Sequence, residues 1–395
     1  MADDLFRRVD ALVGVGLRIA KAAPTGRFAL ARVAEALELE WIPRPWGDEV
    51  AAELESARQQ ACEPLDAKKI EKALKDAWGA KPTDELDDLD LKHPVAITPG
   101  AQIHKGVYEG TAVAVKVLRP GLAGAVRQDL ALLDGLLAPL GAAFPALDTR
   151  ALMRELRERI SDELDLENEA QSQRRFHRAL RDHPFLSVPA PITSLARDSV
   201  CVSEWADGVP IAQAPDRDQA AARLLVFVLG AAKAGFAHAD PSPDGVLVGK
   251  DGRLTILDFG ATRPVDIDRF ETSAAAVEAF AAGDSKAFAS AADKLGFLPN
   301  SLGDDAYALA KDALGVLATP GATTLDSAAV IAARDRALDH KALPKLLTNG
   351  ALPPEDLWPA RGAAQAFGVI ARIGATGDWL ELTRAVLRDG WDVAA

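Results

Sequence analysis

Apolar residues along the first forty positions recur at helical spacing. Leu5, Val9, Leu12, Val13 and Leu17 fall on one face of a helix, so residues 1–40 are predicted helical. "WIPRPWGDE" (41–49) carries two prolines and breaks the pattern. Residues 47–80 return to helix, and the acidic "KPTDELDDLDLKHP" (81–94) reads as a linker. The period then changes. "GAQIHKGVYEGTAVAVKVL" (100–118) places a Glu-Gly turn between two β-branched runs, which predicts a hairpin. Residues 122–139 and 148–180 are predicted helical, the second long and heavily charged. "SVPAPITSLARDSVCVSEW" (187–205) predicts two short strands and "DRDQAAARLLVFVLGAAKAGF" (216–236) a buried helix. "GVLVGKDGRLTILDFG" (245–260) predicts a second hairpin, and everything beyond residue 266 reads as helix. The layout is helices, then a small β-containing lobe, then a mainly helical lobe.

A chain of 395 residues can build two or three folding units with a sizeable core. Hydrophobic residues make up 49%, much of it alanine, and aromatics only 6%, a composition that favours helix. The formal charge of −13 argues against a broad nucleic-acid footprint and against tight binding to anionic lipid. The only cysteines, Cys62 and Cys201, are too few and too distant for a zinc site or a disulfide framework, and a reducing cytoplasm fits them. No signal peptide is read at the acidic N-terminus. The most apolar run, 224–237, is too short to span a bilayer and contains Lys233, so no transmembrane segment is expected. The stripe on the first helix leaves peripheral membrane contact open, with packing against the rest of the chain the simpler expectation.

Several residues could carry chemistry. Lys116 lies inside the β-branched run "VAVKV". On an edge strand it would face water. As a functional residue it would hold phosphate oxygens as a point charge and would need a carboxylate to fix it. "ELDLENEA" (163–170) offers Glu163 and Glu167 on one helix face and Asp165 and Glu169 on another, although the whole segment also reads as a solvated face. Asp258 ends a strand before Phe259-Gly260, where it could ligate Mg²⁺ bridging two phosphates. Asp240, two residues after His238, could orient or deprotonate a hydroxyl, while His238 itself could be an ordinary core histidine. Strand lysine, acidic helix, "SEWADG", buried helix, His-x-Asp and Asp-Phe-Gly follow the order of parts in a protein kinase, except that no G-x-G-x-x-G precedes Lys116.

In these motifs the chain resembles the UbiB/AarF/ADCK group of atypical, protein-kinase-like proteins, from about residue 64 to the end. "PVAITPGAQIHKG" stands where the family has an Ala-rich loop and Gln-Val-His, so Gln102 and His104 match. "VAVKVLRPG" and the Glu163-x-Asp165…Glu169-Ala170 pattern match too, as do the helices of "LPPEDLWPARGAAQAFGVIARIG". The resemblance implies an α+β, two-lobed protein-kinase-like fold, mainly helical, with an N-terminal helical extension. It divides the chain into an extension (1–92), a small lobe with hairpin and acidic helix (93–206) and a helical large lobe with catalytic and metal loops (207–395). It implies that Glu169 pairs with Lys116, that Gln102, Glu163 and Asp165 lie near the nucleotide, and that Glu204, Trp205 and Ala206 form the hinge receiving adenine. Asp240 falls at the catalytic-loop aspartate and Asp258 at the Mg²⁺ aspartate.

The departures shape the functional expectation. The family's His-Ala-Asp-Pro-His-Pro-Gly-Asn is here "HADPSPDG", so Gly245 stands at the metal-binding Asn and Asp244 is the nearest substitute. The Ala-rich loop is altered to Ile97-Thr98-Pro99-Gly100, and of the Lys-x-Gly-Gln motif only Lys21 has a counterpart. The expectation is an atypical kinase or ATPase that binds ATP or ADP with Mg²⁺ at one well-built metal position, linked to isoprenoid-quinone or lipid metabolism and with a lipid or quinone-pathway protein as partner. The alternatives are a pseudokinase scaffold of the same fold, with weak or no catalysis, and an unrelated helical binding protein.

Overall fold

The computed structural model describes residues 2–22, 28, 30–31, 39–43 and 47–395. The small lobe is built on an antiparallel sheet. Strands β1 (Asp88–Leu89), β3 (Ala101–Tyr108), β4 (Thr111–Leu118) and β6 (Val200–Glu204) lie in the order β1-β3-β4-β6, and β2 (Ala96–Ile97) also pairs with β3. Glu109 and Gly110, both at positive φ (49° and 75°), close the β3–β4 hairpin as a two-residue turn whose twist suits the strands. Alternation along β4 then sorts its side chains. Val113, Val115 and Val117 are buried against Ile70, Leu74 and Trp78 of a helix at Ala67–Trp78. That helix starts at the N-cap Asp66 and stops at Gly79, which is left-handed. It falls within the predicted extension yet covers one face of the sheet. The other face, with Lys116, Leu118 and Cys201, meets Leu166 and Ala170 of a helix at Leu166–Ala179.

The predicted 148–180 helix is two helices, α1 (Thr149–Glu163) and α2 (Leu166–Ala179). Asp165 leaves the helical conformation and caps α2, accepting from the amides of Glu167 and Asn168. Glu163 and Glu167 therefore do not share a continuous helix face, contrary to the spacing argument. The predicted 122–139 helix is likewise interrupted, by a 3₁₀ stretch at Leu130–Leu136.

In the large lobe, α3 (Arg217–Lys233) is buried nearly all round, as its apolar sequence requires. It packs against α4 (Leu357–Ile373) and α5 (Trp379–Asp389) in the main core, which also takes in Phe176 of α2 and Phe259. The second predicted hairpin is present as β9 (Val246–Val248) and β10 (Leu254–Ile256), and β8 (Phe236–His238) pairs with β11 (Thr262–Pro264). The segment beyond 266 is not wholly helical. Thr323–Leu325 pairs with Ala375–Gly377, held by the hydroxyls of Thr324 and Thr376 at 2.8 Å and by Trp379 Nε1 donating to the Thr323 carbonyl.

The N-terminal helix Ala2–Ala22 lies against residues 130–143. Val9, Leu12 and Val13 are half-buried and Leu17 is buried, so the described part of the stripe packs inward. The side chain of Leu5 and much of 23–38 lie outside the described residues. Among the described residues no helix is long and apolar enough to cross a membrane.

Candidate functional site

The alternation that buries Val115 and Val117 turns Lys116 to the face covered by α2. There its Nζ lies 2.8 Å from both Glu169 oxygens and 3.1 Å from Asp258 Oδ2. Three elements meet at one ammonium: a small-lobe strand, a helix and the Asp-Phe-Gly turn. Asp258 is held by its own turn, since the Gly260 amide donates to its Oδ1 at 3.1 Å. Glu169 is 2% exposed and Asp258 43% exposed, so the first carboxylate is a fixed internal partner and the second faces outward. Burial pushes the Glu169 carboxyl up to about 7, opposed by the Lys116 charge and reinforced by that of Asp258. Burial alone would lower Lys116, but Asp258 and Glu169 hold it well above its ordinary value. Cys201, opposite Lys116 in the β4–β6 register, is raised by burial and then by the Glu169 charge.

Beneath this cluster, His238 Nε2 donates to the Asp258 carbonyl at 2.6 Å. The ring packs edge-on against Phe227 and Phe259, and burial lowers its pKa, so it is a neutral core histidine that fixes the Asp-Phe-Gly backbone. Its Nδ1 is buried with no hydrogen-bond partner. Two residues on, Asp240 Oδ2 lies 3.2 Å from Arg361, whose other terminal nitrogen is 3.3 Å from Glu163 Oε1. Arg361 also lies over the Trp358 ring, 5.1 Å from its centroid. Its neighbour Gly362 lets α4 reach the His238–Asp240 segment, because a Cβ there would sit 2.3 Å from the His238 carbonyl. Sequence reasoning missed both residues. The available signal was an Arg-Gly pair inside the otherwise apolar "RGAAQAFGVIARI".

The remaining residues expected at the site fall in different settings. Gln102 is fully buried; its oxygen accepts from the Leu65 amide at 2.9 Å and its nitrogen meets His104 Nε2 at 3.2 Å. His104 Nδ1 donates to the Asp90 carbonyl at 2.8 Å. These two side chains tie the hairpin to two segments that precede it in the chain. Asp165 is a helix cap. Glu204 is exposed at the end of β6 and accepts from the Ala190 amide, and the Trp205 amide bonds the Ala112 carbonyl, with Lys105 4.4 Å above the Trp205 ring. Ala206 follows in the unpaired segment leading to β7 (Val209–Pro210). Thr98 closes the altered loop by bonding Ala101, and Phe28 lies 3.4 Å from the position of a Cβ on Gly100. Lys21 pairs with Glu53 at 2.8 Å.

The fit to a divalent ion is uneven. Asp258 is outward-facing beside Lys116, which suits a metal carried on phosphate oxygens. Asp244 is exposed in a 3₁₀ turn whose cap is Ser242. Among the described residues no group of three or more His, Cys, Asp or Glu side chains is arranged to hold a metal by itself. Of the residues expected at a metal, Asp258 is therefore the one whose setting fits a divalent ion.

A strand lysine held between a helix glutamate and an Asp-Phe-Gly aspartate, with two lobes around it, defines a protein-kinase-like protein. Residues 57–292 match the ABC1 atypical kinase-like domain, and the chain belongs to that family, the UbiB/ADCK group. It is 29% identical over 229 residues to a "Probable protein kinase UbiB" of Marinobacter nauticus, covering 54% of this chain and 42% of that protein. It is 28% identical over 253 residues to "Atypical kinase coq-8, mitochondrial" of Caenorhabditis elegans, covering 61% and 33%. The chain thus spans less than half the length of these relatives. The fold is shared with Rv3197 of Mycobacterium tuberculosis, solved with erythromycin, at a TM-score of 0.62, 23% identity and coverage of 95% and 93%.

Proposed function

We propose that the chain binds ATP or ADP with Mg²⁺ between its lobes and acts as an atypical kinase or ATPase in isoprenoid-quinone or lipid metabolism. The observation that carries this is the three-way contact of Lys116 with Glu169 and Asp258, since nothing in the packing of a β-strand requires a half-buried ammonium between two carboxylates. Lys116 holds phosphate oxygens, Glu169 fixes Lys116, and Asp258 holds the metal. The metal, when bound, neutralises charge on the phosphates. The segment Glu204–Ala206 receives the base. Asp240 orients the attacking hydroxyl, which must first share or displace the Arg361 guanidinium. Family membership supports the nucleotide and the metabolic class.

A second reading is favoured by two particular observations: Gly245 offers no side-chain ligand, and Arg361 already occupies Asp240. Both point to slow turnover, and at the limit to a nucleotide-binding scaffold. Thermal denaturation with ATP or ADP, with and without Mg²⁺, tests the shared part. Ligand at a hundred times its Kd adds about 2.7 kcal/mol. The expected result is a Mg²⁺-dependent rise in melting temperature that Asp258→Asn abolishes. A variant that binds Mg²⁺-ATP as well as the parent would refute the reading, and measured release of phosphate then separates enzyme from scaffold.

A further inference from the structure

A cavity of about 1400 Å³ lies between the N-terminal helix, α1 and the large lobe, with α4 as one wall. It is larger than the roughly 300–1,000 Å³ of common small-molecule pockets. Its walls are apolar for most of their extent, with Ile19, Phe28, Phe280 and Phe367 among them. Ala337 and Ala364 also face it, and Ala364 is solvent-accessible although it sits mid-helix, because the cavity is what it faces. So much apolar surface lining one partly open hollow is the form taken by a site for a long apolar molecule.

The polar groups of the wall define the head. Two are guanidiniums, and both are already engaged. Arg334 donates to the carbonyls of Glu40 and Trp41 and to Asp335. Arg361 spans Asp240 and Glu163, and Glu163 is itself part of the wall. A head carrying a full negative charge would have to displace a carboxylate from Arg361. A hydroxyl or carbonyl can add to the existing network at little cost.

We propose that this cavity binds one neutral amphiphile, with a long apolar body between the helices and a hydroxyl or carbonyl head at Arg361. The inference deepens the functional reading above, since the head lies one side chain from Asp240, but its test uses no nucleotide. The probe is cis-parinaryl alcohol, followed by its fluorescence on titration into the full chain, with cis-parinaric acid as the charged counterpart at about pH 8, where the carboxyl is ionised. The alcohol should bind saturably at one molecule per chain, be displaced by oleyl alcohol, and bind at least tenfold more tightly than the acid. Ala364→Trp and Ala337→Phe fill the cavity from two sides and should each weaken the alcohol at least tenfold, with the far-ultraviolet spectrum and melting temperature as folding controls. Absence of saturable, displaceable binding by the parent chain overturns the proposal whatever the variants do. So does binding that neither filling variant changes. Acid binding as tightly as alcohol overturns the neutral head.

Discussion

Burial of Glu169 makes the stability of the fold depend on pH. Its carboxyl is pushed up to about 7 by burial, from an ordinary value of 4.5. Between those values the folded chain holds a proton that the unfolded chain has released, so this group's contribution to stability falls as pH rises through the window. Denaturation midpoints should therefore decline from about pH 5 to about pH 7.5 more steeply in the parent than in Glu169→Gln, which cannot titrate there. Equal slopes would mean that Glu169 is ionised throughout. Cys201 follows the same logic as a thiol: buried and raised, it should resist iodoacetamide in the folded chain and react on unfolding, whereas half-exposed Cys62 is accessible in both states. At this scale the sequence revealed Lys116 and Asp258, because each interrupts an apolar pattern or sits in a recognisable turn. It did not reveal Arg361, whose partners Asp240 and Glu163 are remote in the chain and reach it through tertiary packing.

Elements were legible where one periodicity ran unopposed. The β3–β4 hairpin and the apolar α3 stand where alternation and composition put them. The 148–180 segment was misread because its helical spacing continues across Asp165, and a cap is decided by which backbone amides the carboxylate captures. Asp165→Ala should cost about 1 kcal/mol in chemical denaturation by freeing those amides. The contact of α4 with the His238–Asp240 segment is stricter. A Cβ at Gly362 would lie 2.3 Å from the His238 carbonyl, which is backbone and cannot rotate away. Gly362→Ala should therefore destabilise by roughly 1–3 kcal/mol, against the helix-favouring effect of alanine. Gly368→Ala on the same helix meets only ordinary contact, with Trp41 at 3.5 Å, and should be neutral or slightly stabilising. Reversal of that order would show that α4 moves freely against that segment.

For the whole molecule, the lobes matter because they bring Lys116 of a small-lobe strand, Glu169 of α2 and Asp258 of the Asp-Phe-Gly turn to one point. The order of motifs made this arrangement legible, while the pairing of Thr323–Leu325 with Ala375–Gly377, three residues on each side, was too short to register as strand. The proposed function makes a second metal ligand at position 245 a testable matter. Gly245 is not at positive φ, so its backbone accepts any residue without strain. A Cβ built there points across the site, 3.8 Å from the Asp258 Cβ, and its one tight neighbour is the Ser242 hydroxyl at 3.0 Å, on a side chain able to turn. An asparagine at 245 would thus extend toward Asp258, the proposed metal ligand, with a neutral oxygen and no added charge. Gly245→Asn should raise Mg²⁺-dependent ATP turnover about tenfold or more, in line with what a missing ligand commonly costs. Asp244→Ala should leave it unchanged, because Asp244 is exposed on a turn that Ser242 already caps. If instead Asp244→Ala abolishes turnover and Gly245→Asn does nothing, the turn has bent inward and Asp244 is the ligand. If the parent and both variants release no phosphate while Mg²⁺-ATP still binds, the chain is a nucleotide-binding scaffold.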